Sequence, residues 1–307
     1  MRVVVTGGAG FIGANLASAL VDRGHEVVVV DDLSTGSSEN LRGLNLELVE
    51  GTILGNEARP ALESGQAIVH LAAVPSVPRS VKEPVISHEA NATGTLRVLE
   101  AARHNGAHVV VASSSSVYGA NPALPKREDM RPMPVSPYAV SKLAAESYAV
   151  SYQRCYGLPT LAFRFFNVFG PLQAPDHAYA AVVPAFAAAA LRGDPLVVHG
   201  DGSQTRDFTY VGTVVETICS AIDRKVASLE PVNLAFGTRF SLLEVISLLE
   251  RELGAKLTRE HTDTRAGDVK DSQADSAALR ALFPDVNPVE LAQGLAETVS
   301  WMRTRVR

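Results

Sequence analysis

Val3-Val4-Val5-Thr6-Gly7-Gly8-Ala9-Gly10-Phe11-Ile12-Gly13 opens the chain and decides how the rest is read. The β-branched run predicts a strand, and the glycines at 7, 10 and 13 lie between it and a helix expected over 14–22. In that setting Gly7 permits a tight turn and Gly10 lets backbone approach a pyrophosphate. Gly13 lets the helix pack closely, with its N-terminus aimed at negative charge. A plain strand–turn–helix is the competing reading of the same glycines.

Working outward, a second strand expected over 26–30 ends in Asp31-Asp32. A carboxylate roughly 20 residues beyond the glycine turn is placed to accept both hydroxyls of a ribose. Asp31 is the candidate, while Asp32 also fits a simple turn carboxylate. The negative charge repels a 2′-phosphate and no arginine follows before Arg42, which favours NAD over NADP. Further strands are expected over 46–50, 67–71 and 108–112, with a helix over 85–103 that carries Asn91. Strand and helix alternate, so the fold class is α/β, a Rossmann-type doubly wound parallel sheet with a smaller C-terminal α/β domain. Residues 1–166 are expected to form the dinucleotide domain and 167–307 the substrate domain, with a strand over 232–235 returning to the main sheet. The Ala-rich run 178–190 reads as a buried helix broken by Pro184, and further helices are expected over 242–253 and 288–303.

Composition narrows the function. At 307 residues the chain suits two domains, or one large α/β unit with an appendage. With 46% hydrophobic and 20% charged residues it reads as an ordinary soluble globular protein. A formal charge of −5 supplies no basic field for nucleic acid or an anionic membrane. Cys155 and Cys219 have no metal-ligand spacing around them, so reduced thiols and no metal are expected. The chain opens into a strand without a signal-peptide pattern and holds no apolar run of about 18 residues, so a cytoplasmic location is expected.

Pro137-Tyr138-Ala139-Val140-Ser141-Lys142 carries the candidate chemistry. Tyr138 and Lys142 are spaced to lie on one helix face, a turn apart. A free tyrosine has a pKa of about 10 and is a poor base at neutral pH. A lysine ammonium nearby, or a positively charged nicotinamide, favours the phenolate and lowers that pKa. The pattern also fits a core tyrosine with a surface lysine, because Tyr138, Leu143, Tyr148 and Tyr152 make an amphipathic run. Ser113, Ser114, Ser115 and Ser116 follow the strand over 108–112, at the carboxyl end where parallel sheets bind ligands. They are candidate hydroxyl partners for a reacting alcohol, or an ordinary polar loop.

Taken together, Gly7-x-x-Gly10-x-x-Gly13, Asp31, Ser114 and Tyr138-x-x-x-Lys142 resemble the extended short-chain dehydrogenase/reductase superfamily. Within it the chain is similar, over nearly its whole length, to the UDP-sugar 4-epimerases related to UDP-galactose 4-epimerase. The resemblance implies an NAD-dependent isomerase in which Tyr138 is the base, Ser114 bonds the same substrate oxygen and Lys142 binds the nicotinamide ribose. It implies a cofactor pocket that adds Phe11, Ile12, Asp32, Ser34, Thr35 and Gly36 to the glycine turn. Thr52, Ile53, Leu71, Ala72 and Ala73 extend that pocket, and Asn91, Ser113 and Phe166 complete it.

For the substrate, the resemblance implies a UDP-sugar. Asn167 resembles the family's diphosphate-sugar contact, and Val182 with the segment 196–200, including Val198, resembles the part that cradles uracil. Arg206 and Arg265 then converge on the pyrophosphate, which each guanidinium is able to pair bidentately. Read without the resemblance, each is a surface arginine. Ser76, Ser115, Ser116, Phe208, Asp268 and Ser272 complete the implied substrate set. Relatives commonly dimerise through the helices after Pro84 and Pro137, so a homodimer is expected.

Sugar dehydratases of this superfamily carry an Asp-Glu pair after the catalytic Ser/Thr, and the decarboxylating relatives keep a glutamate there. Here Ser115 and Ser116 stand in those positions and are not acids or bases near neutral pH, which favours epimerisation. Ser272 falls where relatives place a gatekeeper beside the sugar's 2-substituent, and a serine leaves room for an N-acetyl group. Val77-Pro78-Arg79-Ser80 and the segment 265–269 resemble epimerases acting on UDP-N-acetylhexosamines. Uronate epimerases carry arginines where this chain has Leu172 and Ala174. That weakens a UDP-glucuronate substrate, although Arg79, Arg192 or His177 offer substitutes. A non-catalytic NAD-binding regulator is the remaining alternative. Two departures from the family pattern are Thr52, in place of an aspartate that meets adenine, and Pro75, in place of a lysine near the nicotinamide.

Overall fold

The computed structural model describes residues 1–175, 181–264 and 270–305. In chain order the strands are β1 (Arg2–Thr6), β2 (Glu26–Asp31), β3 (Glu47–Glu50), β4 (Ala67–His70), β5 (His108–Ser114), β6 (Thr160–Phe165) and β7 (Asn167–Phe169). They continue with β8 (Leu196–His199), β9 (Thr205–Arg206), β10 (Phe208–Tyr210), β11 (Val232–Leu234), β12 (Phe240–Ser241) and β13 (Arg259–Thr262). The helices are α1 (Phe11–Asp22), α2 (Arg59–Ser64), α3 (Val77–Lys82), α4 (Pro84–His88), α5 (Gly94–Asn105) and α6 (Pro137–Tyr156). After them come α7 (Val182–Arg192), α8 (Val211–Asp223), α9 (Leu242–Leu253), α10 (Ala277–Leu282) and α11 (Leu291–Arg303).

Seven strands form one sheet in the order β11-β6-β5-β4-β1-β2-β3, with every neighbouring pair parallel. The strands are apolar on both sides because both faces are covered. Successive residues alternate between two layers, as the strand period of 2 requires. Val3, Val5, Val27, Val29 and Val69 pack with Leu16 and Leu20 of α1 and Ile218 and Ile222 of α8. Val4, Val28, Ile68, Val109 and Val111 pack on the opposite face with Val98 and Leu99 of α5 and Ala145 and Tyr152 of α6. The first of these cores runs on without a break to Phe186 of α7, Leu249 of α9 and Leu295 of α11. Each such aliphatic side chain contributes about 1.5–3 kcal/mol by leaving water.

The expected strand near 232–235 is β11, and it does return to the sheet beside β6. Other boundaries differ from expectation. Helix α1 starts at Phe11 rather than at 14, because Gly10 is the extended N-cap, and Gly13 therefore lies inside its first turn. The helix expected over 85–103 begins with α4 and runs through a π-helical turn at Glu89–Thr93, which holds Asn91, into α5. Pro184 does not break α7. It is the third residue of a helix starting at Val182, where its missing N–H has no intrahelical partner to lose. Both cysteines are free thiols, Cys155 exposed and Cys219 buried.

Candidate active site

β1 lies between β4 and β2, and the chain leaves it in one direction for β2 and β3 and in the other for β4, β5 and β6. That reversal opens a crevice at the carboxyl ends of β1 and β4, the place where such sheets bind ligands. The glycine turn and the segment 71–75 meet there. A Cβ on Gly7 (φ +69) would stand 2.7 Å from the Ala72 nitrogen, and one on Gly13 would stand 2.2 Å from the Gly7 carbonyl oxygen. Only glycine allows this approach. Gly10 supplies no side-chain cap to α1 and its first turn, with Phe11 and Ile12, holds no acid, so the free amides and the helix dipole are left for an anion.

Asp31 is buried beside the turn, with Oδ2 accepting from the Ala9 N–H and Oδ1 from the Leu33 N–H, both at 2.9 Å. Each oxygen keeps a lone pair for a ribose hydroxyl. Asp32 is exposed and caps its own turn, accepting from the Ser34 N–H at 3.0 Å. Ser34 and Thr35 are exposed, and Gly36 packs on the Ala9 backbone. Thr52 accepts from the Leu54 N–H at 3.3 Å, while Ile53 is buried against Gly94. Leu71, Ala72 and Ala73 are half-buried. A turn without side chains, uncapped helix amides and a fixed carboxylate are the donor and acceptor set that a dinucleotide requires.

Tyr138 is the second residue of α6, after Pro137 and the N-cap Ser136, whose hydroxyl accepts from the Ala139 N–H at 3.2 Å. Its own N–H donates to Ser80 Oγ of α3 at 3.0 Å, so the helix start is fixed from two sides. Ser114, the last residue of β5, accepts from the Ser116 hydroxyl at 2.9 Å and from the Ser116 N–H at 3.2 Å. Its own proton is therefore not committed to Ser116, and the hydroxyl stands close enough to the Tyr138 phenol to favour the phenolate. Burial pushes that phenol above its ordinary pKa, and the neighbouring Ser114 hydroxyl opposes the rise.

Lys142 is buried one turn on, donating to the Ala112 carbonyl at 2.9 Å, and burial pulls its pKa down to about 8. The expectation that Lys142 holds Tyr138 down is thus not met by the protein alone. Its amine is engaged by β5, and desolvation dominates the phenol. Ser113 turns to the opposite side of β5 and donates to Glu146 Oε2 at 2.6 Å. Glu146 in turn pairs with Arg164, Nη2–Oε1 2.8 Å and Nε–Oε2 3.1 Å, with both side chains buried.

Beyond β6 lies a cavity of about 370 Å³. Phe166, Asn167, Phe169, Val182, Val197, His199, Gln204, Arg206, Phe208 and Leu242 are among its walls. Ser114 and Phe165 are register partners, so the cavity wall begins one residue beyond the strand position opposite Ser114. Arg206 donates to the carbonyls of Thr205 and Lys270 at 2.8 and 3.2 Å. Between Arg206 and Phe208, the buried Asp207 accepts from the Gly237 N–H, the Ala274 N–H and the Thr238 hydroxyl at 3.0–3.1 Å. Its burial raises the carboxyl pKa to about 6 against these hydrogen bonds.

Val198 is a correction: it is fully buried in the core, and Val197 faces the cavity in its place. On β8 Leu196 and Val198 point inward, so Val197 and His199 point out. Ser76 caps α3, accepting from the Arg79 N–H at 3.1 Å, and Ser115 and Ser116 form the short helical turn after β5. Ser272 is half-buried, donates its N–H to the Thr205 carbonyl at 3.1 Å and is not on the cavity wall. Arg265, Asp268 and His177 lie outside the described residues. Val197 and His199 lie within the 196–200 segment expected to cradle uracil, where alternation separates them from Leu196 and Val198, whereas Gln204 is not among the expected residues. No group of three or more metal-ligating side chains occurs among the described residues, nor any helix long and apolar enough to cross a membrane.

The crevice, the tyrosine–serine–lysine cluster and the adjoining cavity define a dinucleotide-dependent enzyme that acts on a second ligand. The chain belongs to the NAD dependent epimerase/dehydratase family, whose profile matches residues 3–235. It is 38% identical to the UDP-glucose 4-epimerase of Mycolicibacterium smegmatis, over 99% of both chains. The structure of a UDP-N-acetylglucosamine 4-epimerase from Methanobrevibacter ruminantium M1, in complex with UDP-N-acetylmuramic acid, is similar with a TM-score of 0.94. Identity there is 35%, covering 99% of this chain and 98% of that one. A UDP-glucuronic acid 4-epimerase from Bacillus cereus, solved with UDP-glucuronic acid and NAD, gives a TM-score of 0.89 at 30% identity over 99% of both chains. The protein is therefore an NAD-dependent epimerase of the UDP-sugar class.

Proposed function

We propose that the protein interconverts the 4-epimers of a neutral UDP-hexose, either UDP-glucose and UDP-galactose or their 2-N-acetylated counterparts. The observation that carries the proposal is the placement of the Ser114 hydroxyl beside the Tyr138 phenol at the end of β5, next to the cavity that Phe166 and Asn167 open. Bound NAD supplies the oxidation and the return reduction at carbon 4, with no net consumption. In this reading residues 1–166 seat NAD and 167–307 seat the nucleotide sugar. Tyr138 takes the proton of the 4-hydroxyl, and Ser114 hydrogen-bonds the same oxygen and passes the proton on. The burial that raises Tyr138 is offset by Ser114 and, with cofactor bound, by the positive charge of the nicotinamide. Arg206, with Arg265, holds the pyrophosphate while the 4-keto sugar turns over. Ser115 and Ser116 supply no carboxylate for elimination or decarboxylation.

A uronate substrate is the second reading, prompted by the Bacillus cereus relative. Against it, Arg79 is paired with Glu83 and Arg192 with Asp194, and neither lines the cavity. We further propose a homodimer, since Val81 and Val85 before and within α4 and Val140 of α6 stand exposed on the helices after Pro84 and Pro137 or next to them. The test is parallel incubation with UDP-glucose, UDP-N-acetylglucosamine and UDP-glucuronate, with products separated. Tyr138→Phe is expected to lower kcat by about 10²–10⁴ while UDP-sugar binding changes little. Preference for UDP-glucuronate would replace the neutral hexose, and no conversion of any of the three would leave an NAD-binding regulator.

A further inference from the structure

Behind the crevice runs a line of buried polar groups that the proposed chemistry does not use. Thr6, His70, Asn91, Thr95 and Ser141 are all nearly or fully buried. Thr6 Oγ1 lies 2.8 Å from His70 Nδ1, and His70 Nε2 lies 3.0 Å from Thr95 Oγ1. Thr95 donates to the Asn91 carbonyl at 2.6 Å. The Asn91 side chain accepts from the Val74 N–H at 2.8 Å and donates to Ser141 Oγ at 2.9 Å. Ser141 donates to the Tyr138 carbonyl at 2.8 Å, and at the far end Thr6 Oγ1 accepts from the Ala72 N–H at 3.3 Å.

Only one arrangement of protons satisfies this line. A carbonyl accepts and never donates, so the Thr95 proton is committed to Asn91 and Thr95 must accept from His70. His70 is therefore the neutral Nε2–H tautomer, and its bare Nδ1 accepts the Thr6 proton. That leaves the Thr6 oxygen for the Ala72 amide. The same accounting at Ser141, whose proton goes to Tyr138, makes it the acceptor for Asn91. Burial and the nearby Lys142 charge hold His70 far down, at about 3, so the neutral form persists throughout the physiological range.

We propose that His70 is a positioning residue which, through Thr6 on one side and Thr95 and Asn91 on the other, locks the 72–74 segment of the cofactor crevice to the start of the helix carrying Tyr138. The proposal rests on reading that crevice and Tyr138 as one site. It adds that their spacing is set by a buried imidazole touching neither ligand. β1, the 72–74 segment, the π-helical turn and α6 all meet in this line, so cutting it at one hydroxyl loosens both walls of the site together.

The test uses Thr95→Val, which keeps the shape and removes the hydroxyl, Thr95→Ser, which keeps the hydroxyl, and His70→Phe. Amide hydrogen exchange at Ala72 and Val74, the Kd for NAD, and kcat and KM for the UDP-sugar are measured on the whole protein. Thr95→Val is expected to speed exchange at both amides and raise the NAD Kd, each by about tenfold. It should also lower kcat with KM held within about twofold, and Thr95→Ser should restore all of these. Unchanged exchange and Kd in Thr95→Val alongside a lower Tm would overturn the proposal and leave the line as core packing. Failure of Thr95→Ser to restore them would do the same, pointing to the lost methyl. Should His70→Phe not fold, the Thr95 pair decides alone. Should the wild type convert no UDP-sugar, the functional reading fails while exchange and NAD affinity still decide this one.

Discussion

Arg164→Met is the substitution whose effect the structure specifies most closely. Arg164 leaves β6 with its guanidinium paired to both oxygens of Glu146, stacked 4.7 Å from the centre of the Tyr118 ring and donating to the Glu128 carbonyl at 3.3 Å. Side-chain exposure is 3% for the arginine and 5% for the glutamate, so water does not screen the pair. Methionine fills much of the space and leaves Glu146 a buried carboxylate with one neutral donor, the Ser113 hydroxyl. Removing one partner of such a pair costs about 3–5 kcal/mol, against a total stability of about 5–15 kcal/mol for a typical domain. Arg164→Met with Glu146→Leu removes both charges, takes the Arg164 donor from the Glu128 carbonyl and leaves the Ser113 hydroxyl the Lys142 carbonyl at 3.5 Å, a loss of about 1–3 kcal/mol. Equilibrium urea unfolding of wild type, the two single variants and the double variant supplies the comparison. The double variant should be no less stable than Arg164→Met. A single variant within about 1 kcal/mol of wild type, or a double variant losing the sum of the singles, would refute the buried-pair argument.

Two further outcomes are expected. Between about pH 8 and pH 10.5 the folded chain has released the Lys142 proton that the unfolded chain still holds, so this residue's contribution to stability rises with pH across that window. Relative to Lys142→Met, wild type should therefore gain stability from about pH 7.5 to about pH 9.5 in urea titrations, and a constant difference would contradict a lowered lysine pKa. On β8, Val198→Ala should cost about 2 kcal/mol of stability with KM unchanged, whereas Val197→Ala should shift KM for the UDP-sugar and leave the urea midpoint in place. The reverse assignment would mean that the strand faces the other way.

The sheet was legible because its strands are short valine runs separated by helices, and the glycine turn names its own position in that order. Tyr138, Lys142 and Ser114 were legible too, since i,i+4 spacing and the end of a strand are properties of local sequence. Local sequence does not carry the partners reached through space. Glu146 reads as an ordinary helix-surface acid until β6 brings Arg164 to it, and His70 reads as the end of a strand until Thr6 and Thr95 flank it. The direction of the Tyr138 shift escaped for the same reason: helical spacing puts Lys142 on the right face, but only the fold reveals that the Ala112 carbonyl engages its amine. Resemblance over 196–200 does not separate Val198 from Val197, because only the alternation of side chains along β8 sends one to the core and the other to the cavity.

The seventh strand arrives late. β11 completes the sheet against β6 with about 70 residues of intervening chain, so until residue 234 has been made the flank of β6 is an unzipped edge with open backbone donors and acceptors. A nascent chain stopped at 166 therefore presents a template for pairing with any stray strand, and its assembly is governed by long-range closure instead of by local order. Expression of the front portion alone should give aggregates, and supplying the remainder as a separate polypeptide should rescue it only if the two meet before that edge finds another mate.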